Sequence, residues 1–190
     1  MIAAIATNRL ILRPWKDSDA ANLYAYAKNP NIGLMAGWPA HTDEAESLQI
    51  IRGVLRAEEN YAVTLKDKSD DCVVGSIGLM RGAASNLGIG TNEAEIGYWL
   101  GEPFWGQGLI PEAVDALLRH AFVDLGLAAV WCGYFDENAK SKRVNEKCGF
   151  RPHHTEFNKP WPLINAIKTQ HVTRMTKAQW RDRNGETEAK

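Results

Sequence analysis

The chain has 190 residues, of which 45% are hydrophobic and 24% charged, values typical of one soluble globular domain with a substantial core. Its 22 basic and 23 acidic side chains give a formal net charge of -1, which excludes a global field that attracts nucleic acid or an anionic membrane. Three widely spaced cysteines without a CxxC pair argue against a disulfide framework or a thiolate zinc site. We therefore expect a cytoplasmic monomer or homodimer, with no signal peptide, membrane span, nucleic-acid partner or membrane partner.

The first part of the chain predicts a strand and a helix. Residues 9–15 alternate apolar and polar side chains, which is typical of a strand. Asp17 or Ser18 offers an N-cap for a helix that runs to about Lys28. The stretch NPNIGLMAGWPAHT, residues 29–42, is rich in helix breakers and is expected to be a loop.

A second helix and a hairpin follow. Asp43 and, three residues later, Glu46 form a capping-box pattern, and the apolar spacing after them predicts a helix that ends near Asn60. The strand-like runs 61–66 and 72–81 are joined by the polar turn DKSDD, so they predict a β-hairpin.

The middle of the chain carries the clearest strand and helix. EAEIGYWL, residues 93–100, predicts a strand. Apolar residues then recur at helical spacing from Ile110 to Leu125, with Pro111 in the first turn and Gly126 as a C-terminal stop.

The last third predicts a strand, a short helix closed by Gly149, and a closing pair of strands. These elements are residues 128–135, 138–148, 149–154 and 166–175. The order βααβββαβαββ predicts a single α/β (α+β) domain over residues 1–180, with a polar tail at 181–190 that we expect to fray. Its central sheet is expected to be mixed and mostly antiparallel, with about six to seven strands and about four flanking helices.

Between the central strand and helix, the stretch GEPFWGQGLIPEAV places Gly106 and Gly108 one residue apart. N–H groups at a helix N-terminus lack intrahelical partners and favour an anion, and residues without side chains let it approach. The pattern therefore predicts a phosphate or pyrophosphate site, with a plain tight turn as the alternative. A Walker loop lacks its lysine here, and a Rossmann fingerprint needs Gly or Ala where the chain has Pro111.

The stretches EIGYWLGEPFWGQGLIPEAV and FDENAKSKRVNEKCGFRP resemble the GNAT superfamily of acetyl-CoA-dependent N-acetyltransferases, and most of all its ribosomal-protein N-terminal (alanine/serine) acetyltransferases. The resemblance extends from NRLILRPW to HVTRMTKAQW, so that residues 1–180 form one GNAT domain. The superfamily's pyrophosphate loop reads Gln/Arg-x-x-Gly-x-Gly/Ala, and Gly106-Gln107-Gly108 matches its second half, whereas Pro103 occupies its first position. The resemblance implies an acyl-CoA N-acyltransferase that uses acetyl-CoA and no metal. The acceptor would be a peptide or protein N-terminal α-amine or a small-molecule amine.

By the same resemblance, acetyl-CoA lies in a splay between the strand ending at Leu100 and the strand AAVWCGYF. Asn138 matches an asparagine that contacts the cofactor arm, and Ser141 matches a position near the departing sulfur. A simple N-cap is the alternative for Asn138, and an ordinary exposed helix residue for Ser141. The pyrophosphate would be bound by main-chain N–H groups of the loop, namely Phe104, Trp105, Gly106, Gln107, Gly108, Leu109 and Ile110.

The chemistry needs a base, because an amine attacks only when it is neutral. An α-amine with a pKa near 7.7 to 8 is already partly neutral, so a modest base suffices. Glu93 and Glu95 share one face of the strand before the loop and are the candidate catalytic carboxylates. Glu95 precedes Ile-Gly-Tyr, as in the subgroup that the chain resembles, and a solvent-facing carboxylate is the alternative for both. The family's strand bulge implies an oxyanion donor at the backbone N–H of Trp99 or Leu100. Ser141 stands where the family has a tyrosine-type acid and is a candidate donor to the sulfur. We expect this donor to be dispensable, because a thiolate leaves readily.

The acceptor pocket is expected beside Trp38 and Trp161, although large aromatic residues more often fill a core. His153, His154 and His171 do not predict a metal site, because neighbouring residues on a strand point to opposite faces and no carboxylate has suitable spacing. We expect direct acetyl transfer in a ternary complex, without an acyl-enzyme. A catalytically weak acyl-CoA-binding sensor or partner module of the same fold is the alternative.

Overall fold

The computed structural model describes residues 3–67 and 71–185 of the chain. Within these ranges, eight strands form one sheet and six α-helices cover it, one strand and two helices more than the upper predictions. The strands are β1 (Ile5–Ala6), β2 (Leu10–Arg13), β3 (Asn60–Leu65), β4 (Val73–Arg81), β5 (Glu93–Leu100), β6 (Ala129–Phe135), β7 (Arg151–Trp161) and β8 (Ala166–Thr176). The helices are α1 (Ala20–Ala27), α2 (Pro30–Ala36), α3 (Glu44–Ile50), α4 (Leu109–Arg119), α5 (Ala139–Cys148) and α6 (Lys177–Arg183).

The strand order is β1-β2-β3-β4-β5-β6-β8-β7. Neighbouring strands are antiparallel except for β5 and β6, which are parallel. Parallel neighbours need a crossover connection, and α4 supplies it between these two strands. The predicted mixed, mostly antiparallel sheet is confirmed. No helix in the described ranges has the length and apolar content to cross a membrane.

The sheet separates two cores, because successive residues of a strand face opposite sides. On β5, Ile96 and Leu100 pack in the larger core with α4, α5 and α6. Trp99 instead packs on the opposite face with the smaller core, which contains Leu23 of α1. We call these the α4 face and the α1 face of the sheet.

Helix α4 follows the predicted pattern, with Val114 and Leu117 fully buried. After Arg119 the chain continues as a π-helical segment, His120–Asp124, and it then reverses at Gly126, whose φ of 67° lies in the left-handed region. The predicted helix and its stop are therefore confirmed.

The loop predicted at residues 29–42 is wrong for its first half, which forms α2. The Asn29 side chain accepts a hydrogen bond from the Asn31 N–H, Pro30 occupies the first turn, and Gly37 closes the helix at a φ of 85°. Residues that looked like helix breakers are thus the cap residues of a short helix.

Two other helix boundaries differ from the prediction. Helix α3 is followed by the π-helical segment Ile51–Leu55, and Asn60 already pairs with Gly78 as the first residue of β3. At the other end of the chain, α6 runs through Arg183, beyond the expected start of the tail, because Thr176 and Gln179 form a capping box. Residues 68–70 of the predicted turn DKSDD and residues 186–190 of the predicted tail lie outside the described residues.

Candidate functional site

A gap opens in the middle of the sheet between β5 and β6. Their ladder runs from Glu93–Ala129 to Glu95–Trp131 and ends there. Each strand nevertheless continues with its outer neighbour, β5 with β4 to Leu100 and β6 with β8 to Phe135. The predicted splay between the two strands is present.

Main-chain groups of β5 face this gap. The Gly101 N–H donates a 2.8 Å hydrogen bond to the Val74 carbonyl on β4. Because main-chain groups alternate in direction along a strand, the Trp99 N–H also points toward β4, whereas those of Tyr98 and Leu100 point toward the gap. The oxyanion donor expected at Trp99 or Leu100 is therefore available at Leu100 and at Tyr98, but not at Trp99.

The β4–β5 register runs without a shift from Arg81–Ala94 to Gly75–Leu100. The bulge implied near Trp99 is thus not found in this strand pair. Instead, the end of β5 is held by Trp105, whose indole N–H donates a 2.7 Å hydrogen bond to the Leu100 carbonyl.

The two glycines of the loop adopt left-handed conformations, with φ of 77° at Gly106 and 76° at Gly108. A Cβ added at Gly106 meets no atom of the described chain within 4 Å, and one at Gly108 meets only the Arg9 guanidinium, at 3.7 Å. Glycine is therefore needed for the backbone conformation, while the space beside it stays open. Gly108 is also the N-cap of α4, so the open space lies at a helix N-terminus.

Arg9, which sequence reasoning missed, holds the loop from outside. Its Nη1 donates a 2.9 Å hydrogen bond to the Gln107 carbonyl, and its Nε donates at 2.7 Å to Glu112 in the first turn of α4. In a trans peptide the carbonyl and the following N–H point in opposite directions, so the Gly108 N–H points away from Arg9. The contact orients a donor of the loop for an anion.

The other predicted loop residues anchor the loop through their side chains. Leu109 and Ile110 are buried in the core of the α4 face, and the Phe104 ring meets the Tyr26 ring edge-on at 5.9 Å. The Lys140 ammonium lies 3.5 Å from the centre of the Trp105 ring, which fixes that indole against α5. Because these side chains are used in packing, the groups left to bind a ligand are the main-chain N–H groups.

Asn138 is the N-cap of α5, since its side-chain oxygen accepts a 3.0 Å hydrogen bond from the Ser141 N–H. Its amide nitrogen also donates to the Met35 carbonyl on α2, at 3.3 Å. The structure thus shows Asn138 in the alternative role, as a helix N-cap. Asn138 also ties α5 to α2, across the open end of the gap.

Ser141 faces a residue that the sequence reasoning did not select. Its Oγ lies 2.8 Å from the Tyr98 hydroxyl, and Tyr98 is half-buried on the α4 face of β5. Burial raises the pKa of Tyr98 well above its ordinary value, so the phenol stays protonated at neutral pH. In the sequence, the only signal for Tyr98 was strand alternation, which places it on the same face as Leu100, two residues later.

Glu93 is held in an ion pair. Its carboxylate accepts 2.8 Å hydrogen bonds from Arg174 and from the Trp131 indole. Burial raises the pKa of Glu93, but the hydrogen bonds from Arg174 and Trp131 outweigh it and leave the pKa below its ordinary value. These contacts favour a structural ion pair at the start of β5, and the catalytic role of Glu93 stays a prediction.

Glu95 is a different carboxylate, because it is only 9% exposed. It accepts hydrogen bonds from the Ser85 hydroxyl at 2.7 Å and from the Asn86 N–H at 3.3 Å. Burial raises the pKa of Glu95 above its ordinary value, although these hydrogen bonds oppose the change. A solvent-facing carboxylate is thereby excluded, and a raised pKa suits a general base that works near neutral pH.

The two predicted acceptor tryptophans meet at the C-terminus of α2. The Trp38 ring packs edge-on against Trp99 at 6.1 Å, and the Trp161 ring packs edge-on against Phe135 at 4.8 Å. Gly37 lies under Trp161, since an added Cβ would be 2.6 Å from a ring carbon. Aromatic side chains from four elements thus frame the α1 face of the gap, on the same side of the sheet as Glu95.

A shallow cavity on the same face lies where α1 and α2 meet the start of the loop. Its volume is about 380 Å³. It is lined by Ala25, Tyr26, Asn29, Ile32, Glu102 and Pro103. The α1 face is therefore open at the end of β5.

Two cysteines near the gap are poor nucleophiles. Cys132 and Cys148 are 2% and 1% exposed. Burial raises the pKa of each thiol to about 12. Because the thiolate is the reactive form, neither side chain is suited to carry an acetyl group at neutral pH.

His153 and His154 do not point to opposite faces, so this prediction is wrong. Their Nδ1 atoms lie 2.8 Å apart, because the β7–β8 register shifts between Pro152 and His154. Within residues 3–67 and 71–185, no group of three or more His, Cys, Asp or Glu side chains has an arrangement that could hold a metal ion.

Comparison with known proteins gives a consistent result. A sequence profile of the acetyltransferase (GNAT) domain matches residues 9–151. The chain is 33% identical over 120 residues to the ribosomal-protein-serine acetyltransferase of Escherichia coli (strain K12), over 55% of this chain and 64% of that protein.

Two solved structures have a similar fold. An acetyltransferase of the GNAT family from Bacillus anthracis superposes with a TM-score of 0.80 at 22% identity, covering 93% of this chain and 99% of that one. The microcin C7 self-immunity acetyltransferase MccE, in complex with acetyl-CoA and AMP, superposes with a TM-score of 0.72 at 20% identity, covering 89% and 93% of the two chains.

Proposed function

The chain belongs to the GNAT acetyltransferase family and is thus an acyltransferase, and we propose that it moves an acetyl group from acetyl-CoA directly to the N-terminal α-amine of a protein or peptide. One observation carries the proposal. The gap between β5 and β6 leads into a glycine loop whose backbone is left-handed at Gly106 and Gly108 and whose flank is open at the N-terminus of α4.

The residues present fit a CoA pyrophosphate and its arm. Main-chain N–H groups of the loop from about Phe104 to Ile110 would bind the pyrophosphate. The hydrogen bond from Arg9 to the Gln107 carbonyl fixes the direction of one of them, the Gly108 N–H. The N–H groups of Tyr98 and Leu100 face the gap and would bind the carbonyl groups that lie there. When bound, acetyl-CoA supplies the reactive thioester. MccE, which has the same fold, is itself known in complex with acetyl-CoA and AMP.

The transfer is one displacement at the acetyl carbon. The amine nitrogen forms a bond with the carbonyl carbon, the carbon–sulfur bond breaks, and the sulfur leaves with the electron pair. Glu95 accepts the proton that the amine loses, and a main-chain N–H of Tyr98 or Leu100 stabilises the oxygen of the tetrahedral intermediate. The buried thiols of Cys132 and Cys148 support a path without an acyl-enzyme.

An α-amine is the favoured acceptor because its pKa of about 7.7 to 8 leaves it partly neutral at pH 7, whereas a lysine amine, with a pKa of about 10.4, is almost fully charged. A single carboxylate such as Glu95 is a sufficient base for the former. The Escherichia coli relative is named a ribosomal-protein-serine acetyltransferase, and a protein acceptor for this chain agrees with that name. The aromatic frame around Gly37 offers a surface for the first side chains of a peptide.

A panel assay tests the proposal. Acetyl-CoA is incubated with the protein and with peptides that differ in their N-terminal residue, the same peptides with blocked N-termini, and small amines including polyamines. CoA release and the acetylated product are both measured, the latter by mass spectrometry. We expect acetylation of free peptide N-termini. Acetyl-CoA binding without transfer to any acceptor would instead support a sensor module, and acetylation of lysine or polyamines alone would contradict the acceptor class.

A further inference from the structure

A buried chain of side-chain hydrogen bonds lies behind the gap on the α4 face. Thr173 donates a 2.6 Å hydrogen bond to the side-chain oxygen of Asn145. The amide nitrogen of Asn145 donates to the Ser141 carbonyl at 2.9 Å and to the Tyr98 hydroxyl at 3.3 Å. Tyr98 in turn lies 2.8 Å from Ser141 Oγ. Asn145 and Thr173 are 2% and 4% exposed, so the chain is screened from water at its inner end.

The hydrogen bonds that Asn145 makes have fixed directions. A carbonyl oxygen can only accept, so the Asn145 nitrogen must face the Ser141 carbonyl and its side-chain oxygen must face Thr173. The second hydrogen of that nitrogen is then directed at the Tyr98 oxygen. Either hydroxyl can be the donor in the 2.8 Å contact between Tyr98 and Ser141 Oγ. The inference takes the phenol as the donor, because Ser141 Oγ is nearer to it than the Ser141 carbonyl, at 3.4 Å.

With Tyr98 as the donor, one proton of the chain is unused. Ser141 Oγ then accepts from Tyr98, and the hydrogen of Ser141 points away from that ring. Tyr98 borders the gap where β5 has left β6, and the N-terminal turn of α5 that carries Ser141 lies beside the end of β6. Chains of hydrogen bonds with one polarity strengthen each member, so the terminal Ser141 hydroxyl is a better donor than an isolated serine.

We propose that Tyr98 is a positioning residue, which directs the Ser141 hydroxyl hydrogen into the gap so that it donates a hydrogen bond to the sulfur as the carbon–sulfur bond breaks. The inference rests on the proposed acetyl transfer. The electron pair of the broken bond stays on sulfur, the amine proton goes to Glu95, and Ser141 keeps its own proton. The thiolate is protonated by water after transfer. The Tyr98 side chain needs no contact with the substrate, and its phenol remains protonated throughout.

The test replaces Tyr98 by Phe and measures kcat, the acetyl-CoA KM and the acetyl-CoA Kd. Loss of one donor to a developing negative charge should lower kcat about tenfold, while the KM and Kd stay at their wild-type values. Ser141→Ala should give the same loss of kcat, in contrast to the expectation from the sequence that this donor is dispensable. Adding Tyr98→Phe to Ser141→Ala should cause no further loss, because both changes remove the same hydrogen bond.

Tyr61→Phe is the matched control. Tyr61 is 1% exposed and its hydroxyl donates to Glu59 at 2.8 Å, so this variant also loses a buried phenol contact. Tyr61 lies two strands from Tyr98, because Tyr61 pairs with Ile77 and Ile77 pairs with Tyr98. The control variant should keep the wild-type kcat. An unchanged kcat in Tyr98→Phe or in Ser141→Ala, additive losses in the double variant, or an equal loss in Tyr61→Phe would each overturn the inference. Wild-type protein that binds acetyl-CoA but acetylates nothing would refute the proposed function itself, and the inference with it.

Discussion

The guanidinium of Arg9 donates a 2.9 Å hydrogen bond to the main-chain carbonyl of Gln107, the residue between the two left-handed glycines. The same side chain pairs with Glu112, so one arginine at the start of β2 holds both the loop and the first turn of α4. A strand that takes no part in the chemistry thus sets the geometry of the candidate pyrophosphate site.

Arg9→Ala is therefore expected to weaken acetyl-CoA binding roughly tenfold, since the loop loses a charge-assisted hydrogen bond that orients its donors. The rate of transfer at saturating acetyl-CoA should stay close to the wild-type rate. Isothermal titration calorimetry gives the Kd, and initial rates give kcat. Arg52→Ala, which breaks an exposed ion pair with Asp17 near α3, is the control and should change neither quantity. Equal effects of the two substitutions would show that Arg9 acts only on general stability.

Glu95→Gln is expected to lower kcat on the order of a hundredfold, because glutamine cannot accept the amine proton. The acetyl-CoA Kd should be unchanged, since Glu95 lies on the α1 face and its hydrogen-bond partners are Ser85 and Asn86. Glu93→Gln, two positions away on the same strand face, is the control and should retain the wild-type kcat. Full activity of Glu95→Gln would remove Glu95 from the mechanism.

Glu95→Gln, which lowers kcat, should raise the stability of the folded protein above about pH 4.5. Burial raises the pKa of Glu95 in the folded protein above the ordinary value of 4.5, so ionisation of Glu95 favours the unfolded chain. The stability that Glu95 contributes is complete below its unfolded pKa and is lost as the pH rises through the raised folded pKa. The free energy of unfolding, measured with urea, should thus be higher for Glu95→Gln than for the wild type, by a difference that grows as the pH rises from about 4.5. A difference that shrinks over that range would contradict the assigned direction of the pKa shift.

Direct transfer predicts that no cysteine is acetylated during turnover. Because burial raises the pKa of both Cys132 and Cys148 to about 12, neither forms a useful fraction of thiolate at neutral pH. Cys132→Ala and Cys148→Ala should retain kcat once the folded fraction has been measured. Intact-protein mass spectrometry after rapid quenching should show no acetyl adduct on the enzyme, and an adduct that forms and decays at the rate of turnover would establish an acyl-enzyme.

Local signals in the sequence were sufficient for much of the fold. The apolar spacing of α4, its first-turn proline and its terminal glycine all act within a few residues, and so does the Asn138 cap of α5. Local signals were also ambiguous, because Pro30 and Gly37 in α2 read equally well as loop residues and as caps.

The parts of the site that were missed depend on contacts distant in the chain. Arg9 and Gln107 are 98 positions apart, and the Tyr98 and Ser141 hydroxyls are 43 apart. No periodicity or spacing of a single sequence encodes such pairs, because the sheet order brings them together. Glu93 and Glu95 illustrate the same limit, since they share a strand face but differ in the partners that other elements supply.

The most direct test of the account is calorimetric titration of acetyl-CoA into the wild type, Gly106→Val and Gly126→Val. The φ angles of Gly106 and Gly126 are both positive, at 77° and 67°, and both glycines have open space beside them. Valine therefore strains the backbone similarly at either position. Gly106, however, lies in the loop before α4, and Gly126 lies beyond the other end of that helix. We predict that the wild type and Gly126→Val bind acetyl-CoA alike, whereas folded Gly106→Val loses at least about tenfold in affinity. Equal affinity of folded Gly106→Val and the wild type would contradict the proposal that this loop binds CoA.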